Sequence, residues 1–234
     1  KTKGMILTSG NDAAGLGCVY GGATVCAWYP ITPSTSLAES FTSYSEKLRV
    51  DKNTNKNKFA IVQAEDELAA VGMAIGANWN GARAFTATSG PGISLMSEFL
   101  GLAYFAEIPL VLFDIQRGGP STGMPTRTEQ ADLFQALYGR NGETPLAILA
   151  PATPSDCFTI AIEAIRIAIK FMSTVVILSD GILANASEPW KIPNVNNLKL
   201  FPTRFYTDKN NFLPFKGFRG GGTLLVAIII ILIV

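Results

Sequence analysis

The feature that constrains this chain most is an alternation, repeated about seven times, of short apolar runs with longer segments whose apolar positions recur at helical spacing. Strands are expected over 5–8, 24–28, 59–62, 84–87, 110–115, 147–149 and 175–178. Helices are expected between them, over 36–48, 94–105, 130–137 and 155–171, with one around residues 13–20 and another opening at the acidic run 65–67. The run Leu110-Val111-Leu112-Phe113-Asp114-Ile115 reads as a continuous apolar run of the kind buried on both faces of a parallel sheet. Such alternation implies an α/β fold with a doubly wound, mostly parallel sheet. Ligands of these sheets bind beyond the carboxyl ends of the strands.

Several stretches of unusual composition fall at those ends. After the second strand comes Tyr29-Pro30-Ile31-Thr32-Pro33-Ser34, where two prolines hold the chain extended and prevent a helix. After the fourth comes Ser89-Gly90-Pro91-Gly92, a Gly-rich turn into a helix, where free N–H groups can receive an anion. Many strand-to-helix corners need glycine for geometry alone, so that turn says little by itself. The fifth strand runs into a long loop, 116–127, with Arg117 at its start. Residues 5–8 read as a short buried strand, Asn11 or Asp12 as the cap of the following helix, and Ser179-Asp180-Gly181 as a helix or turn cap.

The third of these ends carries Glu65-Asp66-Glu67-Leu68-Ala69-Ala70. Carboxylates in a first helical turn suit the helix dipole, and Glu65 and Asp66 need no further role. Glu67 is flanked on its helix by Ala70, Ala74, Gly72 and Gly76, so a buried, functional carboxylate competes there with an ordinary first-turn acid.

Composition excludes several classes. The chain has 234 residues, a net charge of +1 and no basic block facing aromatic residues, so a nucleic-acid footprint is absent. It has no histidine, which removes a Ser-His triad, a histidine base and histidine metal ligands. Cys18, Cys26 and Cys157 lie far apart without a CxxC, so no metal or cluster site is expected in this chain. With no leader at Lys1 they fit a reducing, cytoplasmic setting. The 16% charged fraction implies that apolar surface is covered by partners. The expected organisation is an α/β domain over 1–190, an irregular linker over 191–222, and over 223–234 the start of a following segment, either a buried strand or part of a truncated second domain. That last run is aliphatic but about half the length a membrane span needs.

Four motifs together resemble the alpha subunits of the 2-oxoacid:ferredoxin oxidoreductases, most of all the 2-oxoglutarate branch. They are the Tyr29-Pro30-Ile31-Thr32-Pro33-Ser34 loop, the Glu65-to-Ala70 helix start, Thr86-Ala87-Thr88-Ser89-Gly90-Pro91-Gly92, and Gln116-Arg117 with Gly119-Pro120-Ser121-Thr122-Gly123 and Pro125-Thr126. The likeness covers about residues 5 to 195 and fades after Lys199.

The resemblance implies the pyrimidine-binding domain of a thiamine diphosphate enzyme. It makes Glu67 the carboxylate that hydrogen-bonds the aminopyrimidine ring and favours its imino tautomer. The cofactor then supplies the base, which suits a chain without histidine. Pro30, Ile31, Ser89 and Gly90 are implied as cofactor contacts. Thr32 and Arg117 are implied at the substrate carboxylate, with Ser121 and Thr122 lining the pocket. Read without the family, Thr32 is equally a turn hydroxyl, Arg117 a surface ion-pair residue, and the Ser121 and Thr122 hydroxyls face water. The resemblance further implies a beta subunit carrying the diphosphate site, Mg²⁺ and iron–sulfur clusters, with ferredoxin as acceptor and a 2-oxoacid and coenzyme A as substrates. Two alternatives stay open: a non-oxidative thiamine diphosphate decarboxylase or synthase, and a non-catalytic flavodoxin-like binding module.

Overall fold

The computed structural model describes residues 2–199, 201 and 202. In chain order the elements are β1 (Ile6–Ser9), α1 (Gly10–Tyr20), β2 (Val25–Trp28), α2 (Thr35–Leu48), β3 (Ala60–Gln63), α3 (Glu67–Trp79), β4 (Ala84–Thr88) and α4 (Pro91–Phe105). They continue with β5 (Leu110–Gln116), α5 (Leu133–Tyr138), β6 (Ala147–Leu149), α6 (Asp156–Phe171), β7 (Thr174–Asp180), α7 (Gly181–Asn185) and β8 (Ser187–Trp190).

Six strands form one sheet in the order β3-β2-β4-β5-β7-β6, every neighbouring pair parallel. The long central strands β5 and β7 are buried along their whole length, as their apolar runs require. Alternate residues of β5 feed opposite layers. Val111, Phe113 and Ile115 pack with α1, α2 and α6, whereas Leu110 and Leu112 pack with α3, α4 and α5. Rings dominate the first layer, where Phe85 stands edge-on between Phe41 and Phe113. The sheet is therefore doubly wound. Its strand order reverses at β2 and β4, and a crevice opens beyond their carboxyl ends.

Residues 5–8 depart from expectation. β1 lies outside the main sheet, pairing antiparallel with β8 so that Ile6 faces Trp190 and Ser9 faces Ser187. Leu7 is 73% exposed. A two-stranded ribbon covers little of its own surface, so an apolar run there does not mean burial. The partner, β8, falls at the end of the expected α/β domain, where the sequence marks no strand.

The cap of α1 also differs. Ser9 is the N-cap, its hydroxyl oxygen accepting from the Asp12 amide at 3.2 Å while its O–H donates to the Asp12 carboxylate at 2.7 Å. Asn11 is instead buried, its amide donating to the Pro33 carbonyl at 2.9 Å and to the Ser36 hydroxyl at 2.7 Å. Helix α5 begins at Leu133, later than the expected 130, because Gln130 reaches Asp180 and the Asp132 amide is taken by the Gln116 side chain.

Beyond β8 the described chain stays against the domain. Leu198 and Phe201 pack on the core, and Arg83 donates to the Phe201 carbonyl at 2.6 Å. No helix among the described residues is long and apolar enough to cross a membrane. The aliphatic segment 223–234 and residues 203–222 lie outside the described residues.

Candidate active site

Four loops and helix starts meet at the crevice. They are the 29–34 loop after β2, the start of α3 after β3, the 89–92 turn after β4, and the loop beginning at Arg117 after β5. Each follows its strand directly, so the sheet fixes the spacing of the groups they carry.

Glu67 is the first residue of α3, held there because the Asp66 side chain caps the helix by accepting from the Ala69 amide at 2.7 Å. It is 8% exposed. Against it lies Gly92. A methyl at that position would overlap the Thr88 hydroxyl and come within 3.2 Å of Glu67 Cγ, so only glycine lets α3 and α4 close over the carboxylate. No side-chain hydrogen bond or ion pair engages the Glu67 carboxyl among the described residues, which leaves its acceptor capacity unused there.

Arg117 is 7% exposed and ties two loops together. One terminal nitrogen donates to the Thr32 carbonyl at 2.6 Å, and the other donates to the carbonyl of Thr122. Its Nε–H is buried without a partner. Burial pushes this guanidinium below the usual arginine range and the Glu67 carboxylate pulls it back up, so the two groups act on each other across the crevice. An arginine keeps its charge under such a shift and retains N–H groups for a carboxylate.

The remaining candidates sort by what their side chains do. Pro30 and Thr32 are exposed at the crevice, with Ile31 half-buried between them. The Thr32–Pro33 bond is cis, and Ser34 closes the loop by donating to the Ile31 carbonyl at 2.8 Å. Ser89 is fully buried, its hydroxyl donating to the Ile115 carbonyl at 2.6 Å, so it braces β4 against β5. Gly90 sits at φ +29°, which suits a residue without a side chain, beside Arg117 and Asp132. Ser121 and Thr122 are exposed, and Thr122 joins the cluster through its carbonyl.

The motifs did not single out Asp114. It is fully buried on β5 beside the Asp132 carboxyl and the Gly90 turn, with no hydrogen-bond partner for either of its oxygens among the described residues. A charged residue inside the apolar run 110–115 was the available signal. Asn11 was likewise read only as a cap, although it buttresses the Thr32 loop from below.

The thiols are not nucleophiles. Cys18, Cys26 and Cys157 are buried, and burial raises all three, Cys157 to about 12. No group of three or more histidine, cysteine or acidic residues among the described residues could hold a metal ion.

The sequence pattern of the pyruvate flavodoxin/ferredoxin oxidoreductase, thiamine diphosphate-binding family matches residues 16–217. The chain belongs to that family. It is 49% identical to the 2-oxoglutarate oxidoreductase subunit KorA of Mycobacterium tuberculosis, over 88% of this chain and 31% of that protein. It is 40% identical to the 2-oxoglutarate synthase subunit KorA of Archaeoglobus fulgidus, over 86% of this chain and 55% of that protein. Among solved structures it resembles the 2-oxoglutarate:ferredoxin oxidoreductase from Magnetococcus marinus with 2-oxoglutarate, coenzyme A and succinyl-CoA bound. There the TM-score is 0.81 and the identity 37%, over 88% of this chain and 34% of that one. The chain thus spans 31% to 55% of the length of these relatives.

Proposed function

We propose that this chain is the pyrimidine-binding part of the alpha subunit of a 2-oxoacid:ferredoxin oxidoreductase. The reaction is the coenzyme A-dependent oxidative decarboxylation of a 2-oxoacid, 2-oxoglutarate in the first instance, to an acyl-CoA with electrons passed to ferredoxin. The observation that carries this reading is the pairing of Glu67, a buried carboxylate with free acceptor capacity, with Arg117, a buried guanidinium, in one crevice at the strand-order reversal. The two relatives and the solved structure named above each bear 2-oxoglutarate in their names.

The donor set fits thiamine diphosphate. Glu67 would hold the pyrimidine ring by a hydrogen bond between its carboxyl and a ring nitrogen, and the close Gly92 contact keeps that side chain in place at the start of α3. The cofactor, when bound, supplies the nucleophilic carbon that decarboxylation of a 2-oxoacid needs. Pro30 and Ile31 wall the crevice, and the Gly90 turn brings backbone to its floor. Arg117, with Thr32 beside it, takes the substrate carboxylate, its loops already tethered before substrate arrives.

The diphosphate, Mg²⁺ and iron–sulfur clusters are assigned to a beta subunit, and the complex to the cytoplasm. An exposed apolar band on α3, α4 and α5, with Trp79, Leu95, Phe105 and Phe134 facing out and Phe105 86% exposed, supports a covering partner. The test is dye reduction by the purified complex. Methyl viologen reduction that needs both 2-oxoglutarate and coenzyme A supports the reading. Coenzyme A-independent release of carbon dioxide without dye reduction would replace it with a non-oxidative decarboxylase, and failure of thiamine diphosphate to co-purify would leave a binding module.

A further inference from the structure

One buried acid stands outside the proposed chemistry. Asp114 is fully enclosed, and no side-chain N–H or O–H among the described residues reaches either of its oxygens. What it meets is the Asp132 carboxyl, whose Oδ2 is likewise buried without a partner, and Gln116, two residues on along the same face of β5, holds the Asp132 amide beside it. Two carboxylates in contact in a buried site cannot both be ionised, so one proton lies between them. Asp132 is fixed for this contact because its own amide donates to Gln116 Oε1 at 3.0 Å, while Gln116 Nε2 donates to the Ser179 carbonyl at 3.1 Å.

The contact joins three parts of the site. Asp114 belongs to β5, three residues before Arg117. Asp132 ends the loop that Arg117 begins. Gly90 lies between them: a Cβ built there would be 3.7 Å from Arg117 Cγ and 3.9 Å from Asp132 Oδ2. We propose that Asp114 and Asp132 are a positioning pair, in which one shared proton clasps the far end of the 118–131 loop to the Gly90 turn and so holds Arg117 for carboxylate capture. Loss of that proton sets the buried Asp114 charge against the half-buried Asp132 charge and frees the loop. The inference rests on the substrate role proposed for Arg117.

Burial is the largest influence on both acids and outweighs the contacts that favour their ionised forms. Burial raises both acids, and Glu129 raises Asp132 further. Arg117 stands at the end of β5 with its terminal nitrogens on carbonyls, Glu67 acts on Arg117, and Asp180 at the end of β7 is bonded to Gln130.

Hydrogen exchange and infrared spectroscopy of the purified complex test the clasp. In the wild type, protection of peptides spanning 116–132, corrected for intrinsic exchange, is expected to fall about tenfold per pH unit once the shared proton leaves. Asp132→Asn supplies an amide donor at every pH, so its protection stays flat over the same range and the KM for 2-oxoglutarate loses its alkaline rise. A carboxylic-acid C=O band present at neutral pH in the wild type disappears in Asp132→Asn. The same loss of protection in wild type and variant, or no such band, overturns the clasp. Asp114→Asn serves in the same way if the first variant fails to assemble. Exchange and infrared need no turnover, so failure of the clasp is distinguishable from failure of the assigned reaction.

Discussion

The Arg117 guanidinium donates to the Thr32 carbonyl across 2.6 Å, joining the loop after β5 to the loop after β2. Those loops are 85 residues apart in sequence and flank β4, so this bond spans the mouth of the crevice. A side chain assigned to substrate thereby also sets the width of the pocket.

Replacing Arg117 with alanine removes both functions. The KM for the 2-oxoacid is expected to rise at least about tenfold, equivalent to about 1.4 kcal/mol. Lysine should not rescue it, since one ammonium cannot hold two carbonyls and a planar carboxylate together. Steady-state dye reduction with varied 2-oxoacid measures this, and an unchanged KM contradicts the assignment.

For Glu67→Ala the expected result is a loss in kcat of at least about a hundredfold, the scale of a misplaced proton-handling group, with the complex still assembled. Gel filtration checks assembly beside the rate. Wild-type turnover in the variant would show that the carboxylate has no part in the reaction.

Gly92→Ala places a methyl into the Thr88 hydroxyl and against Glu67 Cγ. Overpacking of this kind costs about 1–3 kcal/mol and displaces the carboxylate, so a lowered urea midpoint should accompany lost activity. Gly76→Ala is the contrast. Its added methyl meets nothing within 4 Å, and about 0.5–1 kcal/mol of helix stabilisation is expected.

Asp180 caps α7 by accepting from the Ile182 and Leu183 amides at 2.7 and 3.0 Å, while its other oxygen accepts from Gln130 at 2.6 Å. Asp180→Ala should cost about 1–2 kcal/mol in chemical denaturation from the lost cap alone.

Stability should depend on pH with a definite sign. Asp114 and Asp132 both hold protons more tightly folded than unfolded. Between the ordinary carboxylate range and their raised values the native state binds more protons, so their contribution is full at low pH and is lost as pH rises through that window. Urea midpoints measured against pH should show this decline, and Asp114→Asn should flatten it. A slope of the opposite sign would refute the protonated pair.

The sheet was readable from its strands because continuous runs such as 110–115 have few alternatives to burial on both faces. The loops were readable as a group because proline and glycine punctuate them at strand ends. β1 misled because periodicity reports apolar content and not which neighbour a strand finds. Asp114 was passed over for a related reason: its partner, Asp132, is brought to it only by the return of a loop whose path composition does not fix. Ser89 belonged to a recognised motif, yet its hydroxyl spans two strands, a contact that depends on sheet register.

The ribbon of β1 and β8 puts Ile6 beside Trp190. The first and last strands of the described chain are therefore fastened to each other, on antiparallel paths, before the chain runs on across the core to Phe201. Because Asn11, two residues past β1, holds the Thr32 loop through the Pro33 carbonyl, anything that unzips this ribbon reaches the wall of the crevice as well.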